Sequence, residues 1–331
     1  IDFDCPHYVE RPPVESNCTA TISNAGSLLR IKAPRRMGKS WLIDRLLYQA
    51  SQEDYFTIKL DLEEADHHLL VNENYDEFVR WFCLILGRKL KLENRLDDYW
   101  EDGLGSKYNC TLYLRKYFLT QVKKPLVLAL DNVDLLFPYH HIAQDFFPML
   151  RSWHEGAKTR AILGNLRLII AHATEIYIKL KLTNSPFNVG TAIELAEFAP
   201  AQIQELGNKQ GLNWNPGEIN QLEEVVGGHP YLIQRAISAT QQGYSLEQIL
   251  ERAATESGIY AHHLRSIYAL LDEYSELKEK MIQVVNHEDS IALNPQDTFQ
   301  LESLGLVITE GNQVKVSRRL YRDYLKARWA V

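Results

Sequence analysis

At 331 residues the chain is longer than a typical single domain, so two or three domains are expected. Its 45% hydrophobic and 24% charged content is that of an ordinary globular protein. A net charge of -7 and a pI near 5.9 exclude a protein that holds nucleic acid by bulk positive charge, leaving room only for a local basic patch. No apolar run approaches the roughly 18 residues that span a bilayer, and the opening Ile1-Asp2-Phe3-Asp4-Cys5-Pro6 lacks a basic and then apolar leader, so a cytoplasmic chain without membrane contact is expected. A first residue other than Met reads as a piece of a longer protein or a processed chain. Cys5, Cys18, Cys83 and Cys110 form no Cys-x-x-Cys pair and have no His at zinc-ligand spacing, which predicts reduced thiols.

In chain order, Ser27 to Ala33 reads as a short buried strand, followed by a Pro/Gly-containing turn and a helix whose apolar residues start at Trp41 and recur at helical spacing. A second strand is expected from Tyr55 to Leu62, where Phe56, Ile58, Leu60 and Leu62 alternate and the end carries Asp61, Glu63 and Glu64. Two amphipathic helices follow, one around Tyr75 to Leu92 with Phe78, Trp81, Phe82, Ile85 and Leu86 on one face, the other around Thr111 to Val122. Leu126 to Leu130 is a continuous apolar run ending in Asp131, the pattern of a parallel strand buried on both faces. Leu166 to Ala173 gives a similar strand and Ala192 to Phe198 a weaker one.

Strands alternating with helices up to about residue 198 predict a doubly wound α/β domain with a mostly parallel sheet and its ligand site at the strands' C-terminal ends. Residues 199–275 show only helical periodicity around Gly227-Gly228-His229-Pro230 and form a second expected domain. Residues 276–331 form a third: a helix, a turn and two short strands around Gly311-Asn312, a pair suited to a two-residue hairpin, read as a winged helix.

The segment Ala33-Pro34-Arg35-Arg36-Met37-Gly38-Lys39-Ser40 matches the phosphate-binding loop pattern, with Ala33 in place of the first Gly, and its strand–loop–helix setting is the confirming one. Gly38 lets the backbone approach phosphates, the helix N-terminus presents unpaired N–H groups, Lys39 neutralises the β- and γ-phosphates and Ser40 can ligate Mg²⁺. The plainer alternative is a basic surface turn. Asp131, at the end of its apolar strand, can hold Mg²⁺ through water beside Ser40. The next residue, Asn132, is an amide with no basicity where related ATPases place a water-activating carboxylate. Asp134 could substitute for it or cap the next segment.

His172 and Thr174, at the end of the fourth strand, either sense a γ-phosphate or are solvated strand-end residues. His229 and Pro230 either set a rigid turn against the nucleotide or begin a helix with Pro in its first turn. The pairs His67-His68, His140-His141 and His262-His263 read as surface or structural.

On these residues the chain resembles the bacterial AAA-like domain family in the STAND branch of P-loop ATPases. The resemblance is carried by Tyr8 to Pro13, Leu29 to Ser40, Leu128 to Asp134, Asp145 to Glu155, Ser185 to Gly190, Gly227 to Leu232 and Gly258 to Arg265. It implies an ASCE-type sheet, a helical lid and a winged helix closing over ATP or ADP with Mg²⁺, and coupling nucleotide state to attached modules, a protein partner or self-association. By position it places Arg11 near the adenine, nucleotide contacts from Ala33 through Ser40 and the adjoining Trp41, Mg²⁺ at Ser40 and Asp131, and a lid contact at Pro230. The family pattern has Glu where this chain has Asn132, which implies slow turnover, and Thr where it has Ser40, a chemically equivalent hydroxyl.

Three functional classes follow: a nucleotide-dependent signalling switch, a nucleotide-binding scaffold with little hydrolysis (motivated by Asn132), and a DNA-handling initiator-like ATPase. The last is motivated by the winged helix with Arg318, Arg319, Lys326 and Arg328, and disfavoured by the acidic balance.

Overall fold

The computed structural model describes residues 5–173 and 186–329. Thr174 and Ser185 therefore lie outside the described residues. The chain divides into two compact units.

Among the described residues, the first unit comprises residues 12–32, 39–173 and 186–195. Its elements run α1 (Val14–Ser23), β1 (Leu28–Ala33), α2 (Lys39–Gln52), β2 (Phe56–Asp61), α3 (His67–Val71), α4 (Tyr75–Lys89), α5 (Leu96–Tyr99), α6 (Ser106–Tyr113), α7 (Leu119–Val122), β3 (Leu126–Asp131), α8 (His140–Gly156), β4 (Leu166–Ala173) and β5 (Thr191–Glu194). Ala33, the last residue of β1, packs with the second unit. The five strands form one sheet in the order β2-β3-β4-β1-β5, so the phosphate-loop strand and the Asp131 strand are separated by one intervening strand. Strands β2 and β3, β3 and β4, and β1 and β5 pair in parallel.

Every residue of β3 is buried, as expected of a strand covered on both faces. Asn74 caps α4 by accepting from the N–H groups of Asp76 and Glu77, and Phe78, Phe82 and Leu86 recur on its buried face. They meet α8, where Phe78 and Phe146 pack edge to face with centroids 5.1 Å apart. The helix expected from Thr111 begins earlier, at Ser106, and contains a wide π turn over Leu114–Phe118 that brings Tyr117 and Phe118 both into the core.

Strand β5 stops at Glu194, short of Phe198, because the chain there changes unit: Phe198 donates its N–H to Gly228 O at 2.8 Å and joins the second core.

The second unit contains, among the described residues, 5–11, 33–38 and 196–329. Its elements are α9 (Pro200–Lys209), α10 (Pro216–Val226), α11 (Pro230–Gln241), α12 (Leu246–Glu251), α13 (Ala261–Glu273), α14 (Ser275–Asn286), α15 (Pro295–Ser303), β6 (Val307–Glu310), β7 (Gln313–Val316) and α16 (Arg319–Trp329). Asn215 with Glu218, and Ser245 with Gln248, close reciprocal capping boxes that fix the starts of α10 and α12.

Antiparallel β6 and β7 pair Glu310 with Gln313 across Gly311-Asn312, and Gly311 supplies the positive φ of 65° that this tight loop needs. Ile291 joins Val314 by a single antiparallel bridge beside this hairpin, an arrangement consistent with the expected winged helix. The N-terminal segment is bound in by Val9, buried in this core, and by Lys209 Nζ and Gln202 Nε2, which donate to Tyr8 O at 3.0 Å and Glu10 O at 2.7 Å. No helix among the described residues is long and apolar enough to cross a membrane.

Candidate functional site

The phosphate-loop backbone has two residues in the left-handed region, Arg36 at φ 62° and Gly38 at φ 96°. The positive φ at Gly38 strains any other residue, and a Cβ there would stand 2.7 Å from Arg11 Nη2 and force the guanidinium to shift. Arg11 Nη2 donates to Met37 O at 2.9 Å, Nη1 donates to Ala196 O at 3.2 Å, and the guanidinium lies 4.7 Å over the Phe198 ring. Arg11, expected near an adenine, thus fixes the backbone of the loop. Arg36 would bear roughly 1–2 kcal/mol of left-handed strain; its guanidinium lies 4.4 Å over Tyr231 and 3.2 Å from His263 Nδ1, contacts that offset part of this. Pro34 is half-buried, Arg35 exposed and Met37 buried.

In the first unit, Lys39 and Ser40 open the 14-residue helix α2. A helix N-terminus presents backbone N–H groups and a partial positive charge. Lys39 is buried, Ser40 half-buried and Trp41 exposed.

Asp131 is fully buried. Its Oδ1 accepts the Asn132 N–H at 3.0 Å. Its Oδ2 accepts no hydrogen bond among the described residues, although the Lys59 ammonium lies 3.3 Å away. Lys59 instead donates to Asp44 at 2.9 Å, one turn along α2 from Ser40. Burial alone would lower the Lys59 pKa, but the hydrogen bond to Asp44 and the charges of Asp131 and Asp44 outweigh it and raise it. Sequence reading missed Lys59. The available signal was alternation: on a strand whose Ile58 and Leu60 face the core, Lys59 and Asp61 share the other face.

Asn132 adopts the left-handed conformation, φ 54°, and its Nδ2 donates to Asp61 Oδ1 at 2.9 Å. Asp61 is the register partner of Asp131 and also accepts the Glu63 N–H at 3.0 Å. Asp134 is buried and its Oδ1 accepts the Ala173 N–H at 2.8 Å, tying the segment after β3 to the end of β4. His172 packs edge-on against Phe187 at 4.9 Å with Nδ1 3.0 Å from Ala173 O. Burial, with the charges of Lys32 and Lys39 adding to it, pushes its pKa down to about 4, which keeps the imidazole neutral near the start of α2.

In the second unit, His229 precedes Pro230, which opens α11 as the plainer reading expected. His229 is nonetheless buried, and its Nδ1 has no hydrogen-bond partner among the described residues. Burial first, then Arg318 and His263, push its pKa well below the usual value. His263, read from sequence as surface or structural, joins the phosphate loop through Arg36 and accepts or donates a 2.8 Å bond with Tyr321. Burial, Arg36 and Arg318 push it down to about 3, so it meets Arg36 as a neutral acceptor.

Three of the four basic residues behind the DNA-handling reading are in ion pairs: Arg318 with Glu197, Arg319 with Glu224 at 3.1 Å and Asp323 at 3.2 Å, and Arg328 with Glu256. Helix α15 carries no Lys or Arg. Both facts remove charge a phosphate backbone would need.

No curated protein sequence matches the chain. Its fold is that of P-loop ATPases. A Walker-type ATPase of Pyrococcus abyssi is similar, at 13% identity over 96% of each chain with a TM-score of 0.66. The ORC2 protein of Aeropyrum pernix is similar in its ADPNP–ADP complexes, at 14% identity over 98% of this chain and 97% of that one with a TM-score of 0.52. A family model described as the AAA-like domain matches residues 1–327, and the chain belongs to that family.

Proposed function

We propose that the chain binds ATP or ADP with Mg²⁺ and works as a nucleotide-dependent switch of slow turnover. The observation that carries this reading is the buried Asp131, whose Oδ2 lies 3.3 Å from the Lys59 ammonium but accepts no hydrogen bond among the described residues, on a strand separated by one other from β1, after which α2 opens with Lys39 and Ser40. Ser40 and Asp131 supply the hard oxygen donors that suit Mg²⁺. A cation held there would supply charge neutralisation for the β- and γ-phosphates. Lys39 pairs with the same phosphates, and the N–H groups at the start of α2 bind their oxygens.

The switch part of the reading is supported by the Arg36 contacts, which tie the phosphate loop to Tyr231 at the start of α11 and to His263 on α13. A change in loop conformation on nucleotide exchange would alter these contacts, and with them what the helices present to a protein partner or a second copy. A scaffold that hydrolyses little is the second reading, favoured by the amide at Asn132. The test is the identity of any nucleotide extracted from the purified protein, measured with its steady-state ATPase rate. Extracted ADP or ATP with slow turnover supports the switch. Absence of adenine nucleotide, together with no binding of added Mg-ATP, overturns it.

A further inference from the structure

We infer that Asp61, on the strand beside Asp131, supplies the carboxylate that the position after Asp131 lacks, with Asn132 as its positioning partner. The inference rests on the ATP-binding reading above and names the residue that would make that site hydrolytic.

Three observations meet here. Asp61 and Asp131 are register partners at the ends of adjacent parallel strands, about one strand spacing, roughly 4.8 Å, apart. The Asn132 amide donates to Asp61 Oδ1 at 2.9 Å, so the residue after Asp131 is bonded to a carboxylate on the neighbouring strand. The Glu63 N–H also falls on Oδ1, and among the described residues no hydrogen bond falls on Asp61 Oδ2.

Three nearby carboxylates are committed, Asp134 to the Ala173 N–H, Glu64 to Lys89 at 2.8 Å and Asp44 to Lys59, and Glu63 is exposed. Asp61 also shares its strand face with Lys59, which reaches Asp131 Oδ2, so that face looks toward the Asp131 carboxylate.

The step this assigns is water attack on the γ-phosphorus. The water oxygen bonds to phosphorus as the bond to the β–γ bridging oxygen breaks, and that electron pair leaves on ADP. Asp61 accepts a water proton and returns it to solvent or to the released phosphate. Asn132 cannot accept the proton, but its bond to Asp61 fixes the carboxylate's direction.

The test compares the native chain with Asp61→Asn, Asn132→Asp and the double exchange Asp61→Asn/Asn132→Asp, following kcat, KM, Mg-ATP affinity and melting temperature. Asn at position 61 can still cap the following turn, so folding is retained. Asp61→Asn should lower kcat at least ten-fold with KM and Mg-ATP affinity within about two-fold of native, and the double exchange should recover part of the loss. An unchanged kcat in Asp61→Asn overturns the inference, as does a double exchange that melts like native and stays as slow as the single variant. A native chain that binds Mg-ATP and shows no turnover also overturns it while leaving the nucleotide-binding reading intact. A native chain that binds no nucleotide overturns that reading instead.

Discussion

The ammonium of Lys59 stands 3.3 Å from the buried Oδ2 of Asp131 while donating to Asp44 at 2.9 Å. A protein cation thus neutralises the carboxylate expected to serve Mg²⁺. Removing one member of such a group leaves charges uncompensated in a poorly solvated place, which is the more damaging change.

Lys59→Met should therefore lower the stability of the metal-free protein by about 1–3 kcal/mol, because Asp131 and Asp44 lose their shared partner. Mg-ATP should narrow the gap, since a bound cation supplies the missing charge. Thermal melting of both proteins with and without Mg-ATP checks this; a gap that Mg-ATP leaves unaltered would contradict the assignment of Asp131 to the cation.

Arg11 holds the phosphate loop by its bond to Met37 O, and the positive φ at position 38 favours glycine. Arg11→Met should weaken Mg-ATP binding about ten-fold, the equivalent of one charge-assisted hydrogen bond of roughly 1.4 kcal/mol. Gly38→Ala should weaken it further, because the added Cβ both strains a φ of 96° and displaces Arg11. Calorimetric titration measures both. Native affinity in Gly38→Ala would show that the loop conformation is not the binding one.

Acid should destabilise the protein through histidines that the fold keeps neutral. His263 and His172 have folded pKa values pushed down to about 3 and about 4 from 6.5, and His229 moves the same way. The unfolded chain therefore binds more protons below pH 6.5, and stability that is complete above that value is lost progressively as pH falls toward the folded values. The melting temperature should drop between pH 7 and pH 5. His263→Gln, which keeps an acceptor for Arg36 but does not titrate, should reduce that drop; an unchanged pH profile in this variant would mean that His263 is not kept neutral.

Much of the fold was legible because its signals are local. The apolar run ending in Asp131, the strand–loop–helix around Lys39 and the Gly311-Asn312 hairpin each declare themselves within about ten residues. The alternation at β2 was equally readable, and it located Asp61 at a strand end. What sequence could not supply was pairing across distance. Arg36 and His263 are 227 positions apart and Asn132 and Asp61 are 71 apart, so neither bond leaves a spacing to read. Arg11 was placed near the adenine by resemblance, and its bonds to the Met37 and Ala196 backbone carbonyls are further pairings that no spacing declares. The end of β5 was misplaced for a related reason, since Phe198 is apolar enough for a strand but its N–H is taken by Gly228.

The central claim, that the loop ending in Lys39 and Ser40 binds nucleotide phosphate, is tested most directly by calorimetric titration of Mg-ATP and ADP into the native chain and into Lys39→Ala. Lys39 sits at the first position of α2, so its truncation removes a positive charge at the helix start without breaking the sheet. The account predicts that the native chain binds both nucleotides and that folded Lys39→Ala, with melting within a few degrees of native, binds neither measurably. Equal affinity in the two proteins would contradict it.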